Sequence, residues 1–508
     1  MKKLPIGVTD FKKLIEGDYI YVDKTKYIYE LVTNAGYIFL NRPRRFGKSL
    51  LLSTIEYLFE AEKELFRDLY IYHRWDWNKK YPVIRINFVA DVKNIERFYE
   101  VVYNQLKLNY KRFNIKYERS LKHPGLLLEN LVINVYKRYN KQVVLLVDEY
   151  DKPILDLIED KEQAEEVRKE LKSFYSVLKG LDKYLEFVFI TGVSKFSKVS
   201  LFSGLNQLED ISLIREYANI CGYTQNELEY YFKDYLKDLN LEEIKEWYNG
   251  YNFLGDNVYN PFDVLLYLKY KVFKNYWYET GKTEFLFKVI KQKEFELPFL
   301  DKRYYSYEIL EKFDIEYINL EALMFQTGYL TIKEINKIEN REMYKLGYPN
   351  KEVQEAFNNE LLFYITQNYQ EYKITQIKSI LKNQQIEELK EYIEILISSI
   401  SYEVLKSEYV YQAAIYGLIY ATGYKIIIED NTSKGRIDLT IVVNEKIVYI
   451  IEFKVIESNK EKGRALEQIK QKEYYKKYLN YQKVYVVGIE FNKDTKKIAN
   501  FEYELVKK

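Results

Sequence analysis

Cysteine and histidine are nearly absent from this chain of 508 residues, which contains one cysteine, Cys221, and two histidines, His73 and His123. A single cysteine cannot form an intramolecular disulfide, and so few thiol and imidazole groups argue against a zinc site. They argue equally against Ser-His-Asp or Cys-His catalysis. Any metal chemistry must therefore use carboxylates and a hard cation such as Mg²⁺.

Long apolar runs and an excess of one charge are also missing. The longest aliphatic runs, such as Val143–Val147, have the length of a strand and are far too short to span a membrane. The first seven residues contain no apolar stretch of a signal peptide, so we expect a cytoplasmic protein with no membrane partner. Lys and Arg together number 78 and Asp and Glu 76, so any basic site for nucleic acid must be local.

The composition is that of a globular protein, with 47% hydrophobic and 30% charged residues, and the length predicts two or three domains. Up to about residue 210, short apolar strands alternate with amphipathic helices, which predicts a parallel sheet in an α/β fold. The next region has mostly helical patterns, and the last hundred residues predict a helix, three strands, a helix and a strand. We expect three domains, at residues 1–210, 211–395 and 396–508.

The first motif with chemical content is Arg42–Leu50, which follows an apolar strand and reads Arg-Pro-Arg-Arg-Phe-Gly-Lys-Ser-Leu. A loop that ends in Gly-Lys-Ser and opens a helix is typical of a phosphate-binding P-loop. Gly47 would let the backbone amides face the phosphates, Lys48 would reach the β- and γ-phosphates, and Ser49 would bind Mg²⁺. Arg42 occupies the position of the first glycine in the usual pattern, so the loop must close differently. Taken alone, the motif fits a solvated basic turn equally well.

A second element favours the phosphate-binding interpretation. The aliphatic strand Val143–Val147 ends in Asp148 and Glu149. There, Asp148 would hold Mg²⁺ as a Walker B carboxylate, and Glu149 would polarise the attacking water as a general base. A later strand ends near Thr191 and Ser194, either of which would be placed to sense the γ-phosphate. An acidic turn after a strand is the alternative, but its position downstream of Gly-Lys-Ser predicts a nucleotide site.

The N-terminal half resembles the AAA-ATPase-like family, whose members are mostly bacterial. The resemblance extends over roughly residues 4–290, and its matching segments are 21–25, 42–49, 147–151, 191–194, 247–251 and 259–262. Members commonly carry Arg-Pro-Arg-Arg-Phe-Gly-Lys-Ser, so Arg42 is a trait of the family. The resemblance implies a P-loop fold with ATP and Mg²⁺ as cofactors. The residues we expect to bind the nucleotide are Arg44, Arg45, Phe46, Gly47, Lys48, Ser49, Leu50 and Asp148, with Ser49 and Asp148 on the metal and Glu149 catalytic.

Two apolar runs near the C-terminus predict a hairpin that carries two acids and a lysine. If residues 444–446 form a three-residue loop, Asp438 lies opposite Glu452. Directly opposed side chains share a face, with Cβ atoms about 4.5–5.5 Å apart. A divalent metal between the carboxylates would remove their repulsion, and Lys454 on the same face would orient water or stabilise charge on a phosphate. A slip of one residue would move Asp438 to the other face.

These residues resemble the PD-(D/E)XK nuclease superfamily over about residues 400–500, in a branch often fused to AAA-ATPase-like domains. The resemblance implies a small α/β domain of the restriction-endonuclease type. It implies that Asp438 and Glu452 bind the metal and that Lys454 assists catalysis. Gln468 would support the site from a helix, and Glu408 would be an outer metal ligand. The alternative for Glu452 and Lys454 is a surface ion pair on an edge strand.

The two resemblances together imply an ATP-binding protein with ATPase activity, joined to a Mg²⁺-dependent nuclease that acts on nucleic acid, DNA being favoured. The fusion suggests that the nucleotide state gates access to DNA. One alternative is a nucleotide-switched regulatory protein whose nuclease-like domain is an inert binding platform, and another is an ATPase that acts on proteins. The sequence does not determine the oligomeric state, and a homo-oligomer is one of the alternatives. The geometric test between these alternatives is whether Asp438, Glu452 and Lys454 lie close together in the structure.

Overall fold

In the computed structural model the described residues are 1–34, 36–118, 120–195, 201–202, 205, 207–277, 286, 304–311, 319–366, 371–399, 408–457, 462–495 and 497–507. The chain forms two compact units: the first is Met1–Phe285 with Tyr304–Asn350, and the second is Leu286–Arg303 with Lys351–Lys508. Each unit contains a hydrophobic core of its own. The three domains expected at residues 1–210, 211–395 and 396–508 stay a prediction.

A five-stranded parallel sheet lies at the centre of the first unit, and its carboxyl edge carries the residues expected to bind nucleotide. The strands are β1 (Tyr37–Asn41), β2 (Val83–Asn87), β3 (Val143–Asp148), β4 (Leu185–Gly192) and β5 (Leu208–Asp210). Their spatial order is β2-β3-β4-β1-β5, and every neighbouring pair is parallel. Both β1 and β3 are buried along their whole length, which explains why their sequences are almost entirely apolar.

Helices pack on this sheet, with α3 and α5 against β3 and α4 against β2. Several begin at a side chain that accepts a backbone N–H, as Asn94 does for α4 and Asp160 for α7. The helices are α1 (Phe11–Glu16), α2 (Thr25–Asn34), α3 (Lys48–Phe59), α4 (Ile95–Arg112), α5 (Pro124–Tyr139), α6 (Lys152–Leu155) and α7 (Lys161–Ser176).

The rest of the first unit combines helices with two small antiparallel sheets. The helices are α8 (Gln225–Tyr231), α9 (Leu241–Tyr248), α10 (Pro261–Tyr270), α11 (Tyr307–Glu311) and α12 (Leu320–Thr327). One sheet pairs β6 (Tyr223–Thr224) with β7 (Val258–Tyr259), and the other has the order β8-β10-β9, from β8 (Tyr304–Ser306), β9 (Thr331–Ile338) and β10 (Arg341–Gly347). The sequence patterns miss this three-stranded sheet because β9 is exposed after its first two residues and lacks an apolar face.

The second unit contains a mixed five-stranded sheet in the sequential order β11-β12-β13-β14-β15. All pairs are antiparallel except β13 with β14, which are parallel and are joined through helix α17. The strands are β11 (Lys425–Thr432), β12 (Gly435–Val443), β13 (Ile447–Ile456), β14 (Lys483–Asn492) and β15 (Ile498–Lys507); the helices are α13 (Lys351–Thr366), α14 (Glu371–Asn383), α15 (Ile386–Ser399), α16 (Glu408–Tyr420) and α17 (Arg464–Lys472).

The predicted α/β fold class is confirmed, as is the C-terminal order of helix, three strands, helix and strand. Strand β15, which lies half-exposed at the edge of the second sheet, was not predicted from the sequence. Strand β13 is the third of five, so the edge-strand alternative for Glu452 and Lys454 is wrong. None of the described helices is long and apolar enough to cross a membrane.

Candidate functional site

The loop between β1 and α3 turns at two residues with a left-handed backbone, Arg45 with φ of 70° and Gly47 with φ of 92°. Gly47 directly precedes Lys48, the first residue of α3, so the helix N-terminus opens onto the loop. Among the described residues, no side chain caps this end of the helix. Its first amides therefore remain as donors for an anion.

Lys48 is buried, and its ammonium is bonded to the loop itself. Its Nζ donates to the carbonyl oxygens of Arg42 and Pro43 at 2.8 and 3.0 Å. Burial lowers the pKa of Lys48, while the nearby carboxylates of Asp148 and Glu149 act in the opposite direction. The lysine of the Gly-Lys-Ser motif is thus held between the loop and the acids at the end of β3.

Arg42 is completely buried and acts as a structural anchor of the loop. Its Nη1 donates to the carbonyl of Ser212 at 2.7 Å and to that of Asn41 at 2.9 Å, and its Nη2 donates to the carbonyls of Tyr217 and Ala218 at 3.3 Å. Burial lowers the pKa of Arg42 to about 10. The solvated-turn alternative is therefore wrong for Arg42 and for Lys48.

The guanidinium of Arg42 also lies 4.0 Å from the ring centroid of Phe253. Phe46 packs its buried ring edge-on against Tyr251 and Phe253, at centroid distances of 4.8 and 5.7 Å. Arg45 is exposed, with its guanidinium 4.5 Å from the ring of Phe262. The segment after β5, including the aromatic motifs near residues 250 and 260, therefore forms the wall that shapes the loop.

Asp148 is fully buried at the end of β3. Thr191, on the neighbouring strand β4, donates its hydroxyl to Asp148 Oδ1 at 2.9 Å. Asp148 Oδ2 is buried and has no hydrogen-bond partner among the described residues. Glu149 follows with a left-handed backbone, and burial raises the pKa of its carboxyl group while Lys48 opposes the increase. The orphaned oxygen of Asp148 is what a site for a hard cation requires.

Ser194, the other residue considered as a phosphate sensor, is bonded elsewhere. Its hydroxyl and its amide donate to Asp151 Oδ2 at 2.7 and 2.6 Å. The amide of Val193 donates to both oxygens of Asp151 at 3.2 Å. Asp151 therefore ties the end of β4 to the turn after β3, and this structural role accounts for the last acid of the motif Val-Asp-Glu-Tyr-Asp.

A cavity of about 1250 Å³ lies beside the P-loop. All the loop residues expected to bind nucleotide, Arg44 to Leu50, line it, together with Glu149. The buried Asp148 is not part of the described lining. Further residues of the lining include Lys24, from segment 21–25, and residues without a predicted role, among them Pro5, Val8, Ile20, Tyr223 and Leu265.

Lys24, in this cavity wall, lies in the segment Tyr-Val-Asp-Lys-Thr. Its Nζ donates to both carboxylate oxygens of Glu227 at 2.6 and 2.7 Å and to the carbonyl of Asn219 at 2.8 Å. The preceding Asp23 accepts from the amides of Thr25 and Tyr70. In the sequence this segment stands out only as a match to the AAA-ATPase-like family, and these hydrogen bonds give it a structural role at the cavity wall.

The hairpin of the second unit has the predicted register. Val443 pairs with Ile447 and the ladder continues to Leu439 opposite Ile451. Beyond the ladder, Asp438 Oδ2 accepts the amide of Phe453 at 2.8 Å, so Asp438 lies beside the segment that carries Glu452. The two acids therefore lie close together, as the predicted register requires. Burial raises the pKa of Glu452 to about 8, and the negative charge of Asp438 adds to this increase.

Glu452 is buried, and its two oxygens differ in their surroundings. Oε1 accepts hydrogen bonds from Gln468 Nε2, on α17, and from Lys454 Nζ at 3.4 Å. Oε2 is buried and has no hydrogen-bond partner among the described residues. Asp438, Glu452, Lys454 and Gln468 thus converge, whereas the side chain of Glu408, at the start of α16, lies outside the described residues.

Both candidate sites therefore combine a buried carboxylate with an orphaned oxygen, and this donor chemistry fits a hard cation. No group of three or more His, Cys, Asp or Glu side chains that could hold a metal occurs among the side chains that the structure describes, which exclude that of Glu408. Among the described side chains, the carboxylates of Asp438 and Glu452 are the candidate metal ligands at the second site.

Comparison with known proteins assigns a family to both units. Residues 5–202 match a family described as predicted AAA-ATPase, and residues 406–501 match the PD-(D/E)XK nuclease superfamily. The chain is also 38% identical over 517 residues to a protein of Azotobacter chroococcum mcd 1 described as "Uncharacterized protein in vnfD 5'region", with 99% of each chain covered. The chain therefore belongs to the family of that Azotobacter protein, and it carries an AAA-ATPase-like domain followed by a domain of the PD-(D/E)XK nuclease superfamily.

Proposed function

We propose that the chain is an ATPase coupled to a metal-dependent nuclease that cleaves phosphodiester bonds in nucleic acid, with DNA the favoured substrate. The observation that carries this proposal is the state of Glu452. Its carboxylate is buried beside Asp438, it is oriented by Gln468, and one of its oxygens has no hydrogen-bond partner among the described residues. An inert fold has no need for such a group, because an unsatisfied buried carboxylate destabilises the protein.

In the second unit, Asp438 and Glu452 would hold the cation. Mg²⁺, when bound there, would neutralise charge on the phosphate and favour ionisation of water. The hydrogen bond from Gln468 fixes the orientation of Glu452, so that Oε2 stays free for the cation. Lys454, which is partly exposed, would place its ammonium where charge develops on the scissile phosphate. We also propose Glu408 as an outer ligand.

In the first unit, the cavity beside the P-loop would receive ATP. Lys48 would exchange the carbonyls of Arg42 and Pro43 for the phosphates, which are stronger acceptors for a cation. Asp148 and Ser49 would hold Mg²⁺, and Glu149 would accept a proton from the attacking water. Thr191 would keep Asp148 in position through its hydrogen bond to Oδ1.

Cleavage assays with the full chain test the nuclease. Labelled single- and double-stranded DNA and RNA would be incubated with Mg²⁺, with and without ATP, for the wild type and for Glu452→Gln. This substitution keeps the shape and removes the charge, so we expect folding to survive. Cleavage should fall by at least about 100-fold, because loss of a metal ligand should exceed the loss of about 10–100-fold typical of residues behind such a ligand. A requirement for ATP would support gating of cleavage by the nucleotide.

Glu457→Gln is the matched control, because Glu457 follows the same strand but is exposed and paired with Lys493. We expect this variant to cleave as the wild type does. Equal activity of the wild type and Glu452→Gln would identify a contaminant as the source of cleavage. A wild type that cleaves none of the substrates, with or without ATP, would favour the inert binding platform and overturn the nuclease.

A further inference from the structure

Helix α17 approaches the second sheet at a position without a side chain. A Cβ atom on Gly488, in β14, would lie 2.6 Å from the backbone nitrogen of Leu466 and 3.0 Å from its Cβ. No larger residue fits there unless the helix moves. Gly488 is paired with Glu452 across the parallel strands β13 and β14. The glycine therefore allows α17 to lie close to the strand position next to Glu452.

Glu490 lies two residues further along β14, on the same face as Gly488. Its carboxylate is completely buried. Oε2 accepts the amide of Gly463 at 2.8 Å, and Oε1 accepts the amide of Ala465 at 2.9 Å. These amides lie at the start of α17, where Gly463 has no side chain to cap the helix. A carboxylate from the neighbouring strand thus takes the place of a local cap, and the helix dipole favours its charge.

The same helix carries Gln468, which donates to Glu452 Oε1. Glu490 therefore holds the first turn of α17 through two backbone amides. Gln468, in the next turn of the same helix, contacts Glu452. Since α17 has only nine residues, a shift of its first turn would displace Gln468 as well.

We propose that Glu490 is a positioning residue of the second site, which holds Gln468 against Glu452 by fixing the first turn of α17. Gly488 permits the close approach on which this arrangement depends. The inference rests on the proposed function, since Glu452 is there a metal ligand. The competing explanation is that Glu490 only stabilises α17 and has no effect on Glu452.

The first measurement needs no metal. Glutamine at position 490 can accept only one of the two amides, so Glu490→Gln should accelerate hydrogen exchange of residues 463–472 in the full chain. Glu457→Gln is the matched control, because Glu457 is an exposed glutamate of the same unit whose carboxylate pairs with Lys493. We expect the control to leave exchange in this segment unchanged.

The second measurement is Mn²⁺ binding by calorimetry without nucleotide, with Glu452→Gln as the reference that lacks the ligand. We expect Glu490→Gln to weaken the affinity by about 10-fold, the lower end of the effect of disturbing a residue behind a metal ligand. Gln468→Ala should weaken it to a similar extent. If Glu490 acts through Gln468, the double variant should bind no more weakly than Gln468→Ala alone.

Unchanged Mn²⁺ affinity in Glu490→Gln, or losses that add in the double variant, would overturn the positioning role while the proposed function stands. Equal Mn²⁺ binding by the wild type and Glu452→Gln would overturn the metal site and with it the proposal. Should Glu490→Gln fail to fold, Glu490→Asp replaces it under the same criteria, because aspartate keeps the charge and shortens the reach by one methylene.

Discussion

The two candidate sites both bury a carboxylate, and they differ in whether they bury a cation with it. In the first unit the cations are inside: Arg42 has no exposed surface and Lys48 is 6% exposed. In the second unit the carboxylate is inside and the cation outside, with Glu452 1% exposed and the side chain of Lys454 34% exposed. Each buried charge nevertheless has hydrogen-bond partners, as buried charges require.

The source of these partners follows from the secondary structure. A loop leaves backbone carbonyls unpaired, and the P-loop uses those of Arg42 and Pro43 to solvate Lys48. Around Glu452 in strand β13 the backbone groups are already engaged, because the strand pairs with β14 there and the amide of Phe453 donates to Asp438. Glu452 therefore depends on side chains, and Gln468 supplies the donor from a helix. The backbone of a loop can thus solvate a buried cation, whereas a buried carboxylate on a strand needs a donor side chain from another element, here from a helix.

The largest effect is expected from Glu149→Gln, which would test whether the first site is catalytic as well as binding. Loss of a general base lowers a rate by about 10²–10⁴-fold, so ATP hydrolysis should fall by that factor while ATP affinity is retained. Phosphate release and calorimetry would measure the two quantities. Hydrolysis at the wild-type rate would show that Glu149 does not act as the base.

Lys454→Ala would test the exposed cation of the second site. Because Lys454 is not a metal ligand in the proposed mechanism, Mn²⁺ affinity should stay within a factor of two to three of the wild type, roughly the scatter of such measurements, whereas DNA cleavage should fall by about 10²–10³-fold. Lys493→Ala is the control, because Lys493 forms an exposed ion pair with Glu457. Parallel losses of metal affinity and cleavage would instead assign Lys454 to holding Glu452.

Lys48→Ala would test the buried cation of the first site. Truncating one partner of a buried charged interaction costs about 2–5 kcal/mol, so ATP affinity should decrease by about 30-fold or more. Calorimetry with the full chain would measure it, and DNA binding by the second unit should not change. Equal ATP affinity in the wild type and the variant would contradict the nucleotide site.

Arg42→Met would test whether Arg42, unlike the other arginines of the loop, stabilises the fold. The variant keeps the apolar stem but removes this donor from the buried carbonyls of Asn41, Ser212 and Ala218, and a buried unsatisfied group costs about 1–3 kcal/mol. The carbonyl of Tyr217 still accepts the amide of Ile220. We expect the midpoint of urea unfolding of the first unit to fall clearly. The exposed Arg45→Met should change stability by less than about 1 kcal/mol. Similar stability of the two variants would refute the anchoring role of Arg42.

Local patterns were sufficient where the relevant contacts are close in sequence. The register of β12 and β13 follows from a three-residue loop, in which Asn444 and Glu445 adopt left-handed φ values of 51° and 55°. The same reasoning predicted the strand, loop and helix around Gly47, because glycine and the apolar run lie within ten residues of each other. The predicted roles of Asp438 and Glu452 stay predictions, although their proximity is now a structural fact.

Contacts between distant segments could not be read from the sequence. Arg42 looked like a departure from the P-loop pattern because its acceptors lie about 170 residues later, at Ser212 and beyond. Glu490 gave no signal, since a glutamate in a Lys- and Glu-rich chain resembles any surface residue. The three-stranded sheet around β9 was missed for a related reason, because an exposed hairpin has no apolar periodicity.

The anchoring of Arg42 has a consequence for where an autonomous domain can end. The match to the predicted AAA-ATPase family stops at residue 202, whereas three of the four carbonyls that hold Arg42 belong to Ser212, Tyr217 and Ala218. An excised polypeptide that ended at the limit of that match would keep only one of the four carbonyl acceptors of Arg42 and would lose the ring that covers its guanidinium. The smallest fragment able to form this P-loop must therefore extend past Phe253, whose ring covers the arginine.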